Sequence, residues 1–362
     1  MAKIVLFGAT GFTGRLTAKA LIGRGVAPVL AGRNAVALEQ LASELGGAET
    51  AVADVSDSAS VGSLVDRGDV LISTVGPFLH HGGPALAAAI ESGAHYLDST
   101  GEGPFIRDVF ENHGRAAAKA GSGLLTAFGF DFVPGNLAAA LALAASGPEA
   151  TRVDVGYFMS NVNASGGTRA SLAGVMLGRG YALRGGRLVA ARPAAHRRTF
   201  SVQAKPRTGV SIPASEHLAL PRIHDGLTDV SVYIGLPPSA ARAAQLVSLA
   251  TEPVRRVAVA NRLVERVLER AVPGSTGGPG EDARGRASSW IVAEASNPAG
   301  KVLASITLKG GDPYDFTSAI LAWGAHTALD GGLRALGALG PVDAFGLPVL
   351  AAGAAEAGLS EC

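Results

Sequence analysis

Residues 3–33 read KIVLFGATGFTGRLTAKALIGRGVAPVLAGR. An apolar, β-branched run ends at Phe7 and leads into a glycine-rich turn. The turn opens a segment with apolar residues at helical spacing that continues to about Arg24. A second apolar run follows and reaches Gly32. Strand, helix and strand in this order predict a βαβ unit with two parallel strands.

The spacing of the three glycines in the turn is typical of a dinucleotide-binding loop. Gly8 can make the tight bend out of the strand, Gly11 lets the backbone approach a pyrophosphate, and Gly14 lets the helix lie close to the strand. The N–H groups at the start of the helix then face the phosphates. The alternative is that the glycines serve only the turn. The predicted cofactor-binding residues of the turn are Gly8, Thr10, Gly11, Phe12, Thr13 and Gly14.

The end of the second strand decides which nicotinamide cofactor is preferred. An NAD-selective site usually places an acid there to bind the ribose hydroxyls, whereas this chain has Ala31-Gly32-Arg33-Asn34. The Arg33 guanidinium offers a charged fork for a 2′-phosphate. A charged hydrogen bond contributes about 1.5–3 kcal/mol, so we expect NADP(H) to bind roughly tenfold to a hundredfold more tightly than NAD(H). The alternative is that Arg33 is a solvated residue at a helix start.

The alternation of strands and helices continues and predicts a Rossmann-type, doubly wound parallel sheet of the α/β class. The fourth strand, Asp69 to Val75, is mostly apolar, and the loop after it should border the nicotinamide side of the crevice. A helix is expected from about Pro84 to Ser92. Asp54, after the third strand, could meet the adenine end of the cofactor or cap the next turn. The predicted cofactor-binding residues after the fourth strand are Val75, Gly76, Pro77 and Phe78.

Polar residues follow two further strands at the same predicted rim. Asp98, Glu102 and Asp131 are candidate residues of the cleft, with a role as cap or loop hydrogen-bonding group as the alternative for each. His80 and His81 are adjacent on a predicted loop. Adjacent rings rarely bind one metal ion together, and no third ligand stands at a useful spacing. The sequence therefore predicts no metal site.

Composition restricts the class of protein. The 362 residues carry a formal net charge of +1, which argues against nucleic acid as a main partner, and the length favours two domains. The single cysteine, Cys362, rules out a disulfide framework and disfavours cysteine metal sites. No apolar run is long enough for a stable membrane span, and the N-terminus lacks a signal-peptide pattern. We therefore expect a cytoplasmic protein.

Several motifs stand in the order and spacing of the saccharopine dehydrogenase-like NADP-dependent oxidoreductases. The chain resembles in particular the branch that includes the trans-acting enoyl reductases of mycobacterial lipid synthesis. The resemblance is strong over residues 1–140, thin over 150–300 and moderate over 300–330. The motifs that carry it lie at residues 8–14, 31–34, 74–78, 96–102, 129–135 and 310–314.

After about residue 145 the pattern changes to short alternating strands, which predict a second α+β domain with a mainly antiparallel sheet. Helices are expected over 165–179 and 238–268, and a glycine- and proline-rich loop over 273–285 is expected to act as a lid. The resemblance implies that the chain then returns to the nucleotide domain, where residues 342–350 could close a sheet edge. The predicted division is 1–145, 146–310 and 311–362.

The resemblance implies an NADPH-dependent reductase that transfers hydride to a conjugated C=C bond of a lipid- or polyketide-like intermediate. The substrate would be a small molecule, either free or linked to a carrier or lipid. Rim position and resemblance make Tyr96, His81 and Asp131 the candidate proton donors. One alternative is an imine- or opine-type amino acid dehydrogenase, for which Arg169, Arg179 and Arg184 could bind carboxylates. Another is a non-catalytic NADP-binding accessory protein, and a homodimer formed by edges of the second sheet fits each hypothesis.

Overall fold

The structure is a computed structural model, and it describes residues 2–162, 180–255 and 277–362. Its first part alternates strands with helices. The strands of the first sheet are β1 (Ile4–Phe7), β2 (Val29–Gly32), β3 (Thr50–Val52), β4 (Val70–Ser73), β5 (His95–Asp98), β6 (Gly123–Leu125) and β15 (Gly337–Ala338). The helices that connect or follow them are α1 (Phe12–Gly23), α2 (Ala35–Glu44), α3 (Ser58–Gly62), α4 (Phe78–Ser92), α5 (Gly103–Asp108), α6 (Gly114–Ala120) and α7 (Val133–Ser146), with a π-helical turn (Val109–His113) joining α5 to α6.

All neighbouring strands of the first sheet are parallel, in the order β15-β6-β5-β4-β1-β2-β3. The strands are apolar because helices cover both faces: Leu6 and Ile72 pack in one core cluster, while Val5 and Leu71 pack in the other. The strand order changes direction between β1 and β4, so the loops after these strands form a crevice at the carboxyl edge. The predicted Rossmann-type fold is confirmed.

The second sheet is mixed and mostly antiparallel, as predicted, with a single parallel pair, β7 with β12, among its described strands. Its main path runs β10-β11-β12-β7-β13-β14-β16, and β8 and β9 form a hairpin beside β12. The strands are β7 (Arg152–Ser160), β8 (Gly180–Arg184), β9 (Arg187–Ala191), β10 (Arg197–Val202), β11 (Lys205–Ile212), β12 (Asp229–Gly235), β13 (Ser288–Ser296), β14 (Val302–Gly310) and β16 (Ser360–Glu361).

The described helices of the second part and the C-terminus are α8 (Glu216–Ala219), α9 (Pro238–Arg255), α10 (Glu281–Gly285), α11 (Pro313–Leu329), α12 (Pro341–Phe345) and α13 (Leu347–Glu356). Helix α11 packs on α1, and β15 pairs with β6, whereas β16 pairs with β14 of the second sheet. The division at residues 145 and 310 stays a proposal. The expected edge over 342–350 is wrong: that segment is helical, since Pro341 favours a helix start and Asp343 accepts the Gly340 N–H.

Two further expectations from the sequence concern the helix over 165–179 and the lack of a membrane span. The predicted helix over 165–179, with Arg169 and Arg179, lies outside the described residues, as do residues 256–276. Over the described ranges, every helix is too short or too polar to cross a lipid bilayer.

Candidate functional site: a crevice at the carboxyl edge of the parallel sheet

The glycine-rich turn after β1 is packed so tightly that side chains are excluded at two positions. Gly8 has φ +89°, and a Cβ there would lie 2.7 Å from Thr74 Oγ1. A Cβ at Gly14 would lie 2.2 Å from the Gly8 carbonyl oxygen. The Thr74 hydroxyl donates to the carbonyls of Phe7 and Gly8, at 3.2 Å each. The turn after β1 and the loop after β4 therefore form one close-packed unit.

The start of α1 fits a bound pyrophosphate. The residue preceding the helix is Gly11, which has no side chain to cap the N–H groups of the first turn. Those N–H groups and the positive end of the helix dipole attract an anion. Thr10, Phe12 and Thr13 are all partly accessible along this turn. The start of α1 is thus compatible with a bound dinucleotide, and the contacts of the individual turn residues stay a prediction.

Arg33, Asp54 and His81 come to the same edge of the sheet. Arg33 is exposed directly after β2. Asp54 accepts hydrogen bonds from the Ser56 N–H at 2.8 Å and the Ser56 hydroxyl at 2.7 Å. These bonds, with smaller contributions from the charges of Arg33 and His81, lower the pKa of Asp54. Asp54 caps its own turn here, and Arg33 remains accessible for a 2′-phosphate.

We expect Arg33→Ala to weaken NADPH binding by about tenfold to a hundredfold and to leave NADH binding unchanged, because only NADPH carries the 2′-phosphate. Fluorescence titration of the wild-type protein and of Arg33→Ala, each with NADPH and with NADH, measures this. Arg67→Ala is the control, since Arg67 lies on the opposite edge of the sheet and donates to the Ala120 carbonyl. Equal weakening of NADH and NADPH would show that Arg33 does not read the phosphate.

The loop after β4 is shorter than the sequence suggests, because α4 begins at Phe78 and not near Pro84. The Glu102 carboxylate supplies the cap: Oε1 accepts from the Phe78 N–H and Oε2 from the Leu79 N–H, at 2.9 Å each. Within α4, Gly82 packs closely against the Phe105 ring, where a Cβ would approach within 2.6 Å. Val75, Gly76 and Pro77 are left at the crevice, while the Phe78 side chain is buried.

Asp98 is buried and links two neighbouring strands by hydrogen bonds. Its Oδ1 accepts from the Thr100 N–H at 2.9 Å and the Ala127 N–H at 2.8 Å, joining the ends of β5 and β6. Burial raises the pKa of Asp98 to about 6, against the effect of these bonds. Asp98 and Glu102 therefore link the loops of the rim from inside the protein, and both carboxylates are buried.

Asp131 is an exposed residue at the carboxyl edge of the parallel sheet. It lies on the loop between β6 and α7, and its side chain is exposed. It also lies against the loop after β5, since a Cβ at Gly101 would be 2.9 Å from Asp131 Oδ2. The surrounding protein removes part of its hydration and raises its pKa to about 6. A carboxyl group with a raised pKa beside a cleft is a candidate functional group.

The other two candidate proton donors differ in position. His81 is half-buried near the start of α4, at the crevice edge. Tyr96 is fully buried within β5 and packs with Phe7 and Leu71. Burial, together with the neighbouring Asp98 carboxylate, raises the pKa of Tyr96. The structure therefore brings Asp131 and His81 to the rim and leaves the Tyr96 hydroxyl in the core, out of reach of a substrate.

Residues from the second half of the chain cover the glycine-rich turn. The Phe12 ring meets Tyr314 edge to face at 5.1 Å, and the Arg284 guanidinium lies 6.0 Å from its centre. A Cβ at Gly278 would approach the same ring within 2.6 Å. Part of the predicted lid, residues 277–285, thus contacts Phe12 directly. Residues 273–276 of that lid lie outside the described chain.

A buried network that the sequence analysis missed supports the loop carrying Asp131. The Tyr157 hydroxyl donates to Glu216 Oε1 at 2.7 Å and accepts from the Gly135 N–H at 2.9 Å. Position 135 has room only for a glycine, because a Cβ there would lie 2.2 Å from both Glu216 Oε1 and the Tyr157 hydroxyl oxygen. Burial raises the pKa of Glu216 to about 8, and the charge of Asp131 adds to the effect. The alternating pattern of β7 indicates that Tyr157 faces inward, where its hydroxyl needs a hydrogen-bond partner. The sequence does not identify that partner, because Glu216 is 59 residues away along the chain.

This pKa predicts a pH-dependent stability. Glu216 has an ordinary pKa of 4.5, so between about pH 4.5 and 8 the folded protein holds a proton that the unfolded chain releases. The stability that Glu216 contributes is therefore lost as the pH rises through this window. In Glu216→Gln, the free energy of unfolding relative to wild type should rise from pH 5 to 8, by up to a few kcal/mol, and stay level above. Urea unfolding at several pH values measures this.

The matched control is Glu149→Gln, because Glu149 is exposed in the 3₁₀ turn (Gly147–Glu149) that follows α7. Its free energy of unfolding should follow that of wild type at every pH. A Glu216→Gln difference that does not change with pH would mean that Glu216 is ionised in the folded protein.

Comparison with known proteins agrees with this geometry. Residues 4–125 match the family model described as the saccharopine dehydrogenase NADP binding domain. The predicted family resemblance is confirmed. NADP(H) is the cofactor of this NADP-binding domain, and the residues that fit it include Gly8, Gly11, Gly14 and Arg33.

Curated relatives match a part of the chain of about the same length. A protein named trans-acting enoyl reductase from Mycobacterium leprae is 39% identical over 140 residues, which are 37% of this chain and 34% of that protein. A protein of the same name from Mycobacterium ulcerans is 37% identical over 141 residues. The matched part of the chain thus spans about a third of the length of these relatives.

A solved structure matches the whole fold. Apo saccharopine dehydrogenase (L-Glu forming) from Saccharomyces cerevisiae superposes with a TM-score of 0.62, over 100% of this chain and 99% of that one. The sequence identity is 11%, so the likeness establishes the fold alone. The NADP-binding domain and the second, mixed sheet therefore share the architecture of that enzyme.

Proposed function

We propose that this protein is an NADPH-dependent reductase that transfers hydride to a C=C bond conjugated to a carbonyl, in a lipid- or polyketide-like substrate that is free or linked to a carrier. The confirmed NADP-binding domain supports the cofactor half of the proposal. The relatives named trans-acting enoyl reductase support the enoyl substrate.

The observation that carries the proposal is the position of Asp131. It is an accessible carboxyl group in the crevice, with a pKa raised to about 6, on a loop adjoining the loop after β5. Enoyl reduction needs such a group, because the substrate gains a negative charge on its carbonyl side and must then take a proton. An acid with a pKa near the working pH can donate that proton and recover it from solvent.

The chain's own residues have distinct tasks in this proposal. When bound, NADPH supplies the hydride. The glycine-rich turn and Arg33 hold its phosphates, Val75 to Pro77 border the reacting side, and Asp131 donates the proton to the α-carbon. Glu216 and Tyr157 position the loop that carries Asp131, and the 277–285 segment covers the turn through Phe12.

A labelling experiment tests the proposal. The purified protein is given crotonyl thioester and NADPH carrying deuterium at the transferred position, and the product is examined by NMR. We expect a saturated thioester with one deuterium on the β-carbon. In heavy water with unlabelled NADPH, the deuterium should appear on the α-carbon.

The same assay separates the alternatives. Reduction of an imine formed from an α-keto acid and an amino acid, without reduction of the thioester, would overturn the enoyl proposal in favour of an amino acid dehydrogenase. Tight NADPH binding with no turnover of any tested thioester, imine or ketone would overturn it in favour of an accessory protein.

A further inference from the structure

The second sheet contains a cavity that no cofactor-site residue lines. It has a volume of about 340 Å³ and lies between the β8–β9 hairpin and strands β11 and β12. Much of its wall is apolar, with Val189, Ile212 and Val232 contributing. Its residues include neither the glycine-rich turn, nor Arg33, nor Asp131. The cavity is therefore lined by a different set of residues from those assigned to the crevice.

Two arginines face this cavity without a carboxylate partner in the part of the chain that the structure describes. Arg184 donates to the carbonyls of Leu183 and Val230 and to the Ser231 hydroxyl, at 2.8 Å each, and all three acceptors are neutral. Arg192 Nη1 is buried and has no hydrogen-bond partner among the described residues. Over the same ranges, no aspartate or glutamate lines the cavity. A partly buried guanidinium without a counter-charge is costly, so this pair is poised to accept an anion.

The two histidines of the same wall, His196 and His217, cannot neutralise the arginines, because an imidazole ring is either neutral or positively charged. Burial lowers the pKa of His217 to about 4, so its ring is neutral near pH 7, and its Nδ1 lies 2.9 Å from the Ala214 carbonyl oxygen. His196 is exposed at the mouth. The charges that face the cavity from the described residues are thus positive or absent.

Neighbouring arginines of the sheet are paired, which sets Arg184 and Arg192 apart. Arg152 and Arg198 both bind the Asp154 carboxylate, at 2.8 and 2.7 Å, and Arg198 also binds Glu294. These two line an adjoining, more open cavity of about 380 Å³ together with Arg184, Arg197 and His196, and the acid among its described lining residues is Asp229. The sheet therefore neutralises Arg152 and Arg198 with its own carboxylates, but not the two arginines in the first cavity.

We propose that this cavity binds a small organic anion, whose carboxylate or phosphate group pairs with Arg184 and Arg192 and whose short apolar body contacts Val189, Ile212 and Val232. Guanidinium groups suit both anions because each presents a planar fork of donors. The volume is within the range of small-molecule sites. The proposal does not depend on the enoyl reaction.

The test is isothermal titration of the full-length protein, saturated with NADP⁺ so that the cofactor site is filled. The probes are butyrate, inorganic phosphate and, as the neutral match for butyrate, butyramide. We expect one or both anions to bind and butyramide not to bind. Butyrate alone would identify a carboxylate ligand, and phosphate alone a phosphate ligand. No binding of either anion would overturn the proposal.

Variants locate the site. Arg192→Gln should weaken anion binding by at least about tenfold, since it removes a charged hydrogen bond. Without anion it should melt no lower than wild type, because Arg192 Nη1 has no partner to lose among the described residues. Arg187→Gln is the control, as Arg187 is exposed on the same hairpin and lines neither cavity. Equal weakening in both variants, or in neither, would overturn the proposal.

Discussion

Gly14→Ala should abolish NADPH binding, or weaken it by at least about a hundredfold. The added Cβ would lie 2.2 Å from the Gly8 carbonyl oxygen and 2.9 Å from Ala9 backbone atoms. Backbone atoms cannot move aside as a flexible side chain can, so α1 must shift away from β1 and the phosphate-binding turn must open. We also expect a loss of stability on the order of 3 kcal/mol. Fluorescence titration with NADPH and urea unfolding measure the two effects.

The matched control, Gly23→Ala, lies at the other end of the same helix. A Cβ at Gly23 would meet no heavy atom of the described chain within 4 Å beyond its chain neighbours and the backbone of its own helix. Gly23→Ala should therefore bind NADPH normally and be as stable as wild type or slightly more so. NADPH binding by Gly14→Ala with wild-type affinity would mean that the turn contacts the cofactor in another way, and the assignment of the phosphate site would fall.

Asp131→Asn should lower kcat for the enoyl substrate by about a hundredfold to ten-thousandfold, the range for loss of a general acid. NADPH affinity should stay within about twofold of wild type, because Asp131 is not one of the phosphate-binding residues. The wild-type kcat should be highest below about pH 6 and fall above it, since only the protonated carboxyl group can donate. The residual activity of Asp131→Asn should show no such fall. Steady-state assays over a range of pH measure both.

Asp225→Asn serves as the control, since Asp225 is exposed on a turn of the second domain, and it should leave kcat and its pH dependence unchanged. Wild-type kcat in Asp131→Asn would remove Asp131 from the chemistry. His81 would then be the remaining candidate at the rim, to be tested as His81→Gln.

The elements that the sequence predicted correctly depend on neighbours along the chain. The apolar run to Phe7, the glycines of the turn and the apolar spacing of α1 all lie within about twenty residues, so local sterics and periodicity suffice to predict a βαβ unit. The alternation that follows implies a parallel sheet, because each strand needs a helical crossover to reach the next. The position of Arg33 after β2 also follows from chain order alone.

The roles of the rim carboxylates could not be predicted in this way. Asp98 ends a strand, Glu102 and Asp131 lie in loops after strands, and the three look equivalent in the sequence. In the folded protein, Asp98 accepts hydrogen bonds from N–H groups of two loops, and Glu102 accepts one from the start of α4, 24 residues away. Both carboxylates are therefore hydrogen-bonded inside the protein. Asp131 lies open to the crevice instead. Because Glu102 caps the N–H groups of Phe78 and Leu79, α4 begins at Phe78, earlier in the chain than the start near Pro84 that the sequence predicts.

The sequence by itself determined the fold class, the glycine-rich turn of the NADP-binding domain and the position of Arg33 after β2, because these are set by backbone conformation and short-range spacing. Only the tertiary structure decided that Tyr96 is buried, that Glu216 meets Tyr157 under the Asp131 loop, and that Arg184 and Arg192 share a cavity. These arrangements come from packing between distant segments, which no local pattern encodes. Desolvation then sets the pKa values of the buried and crevice groups, since it depends on the surrounding protein and not on the chain position.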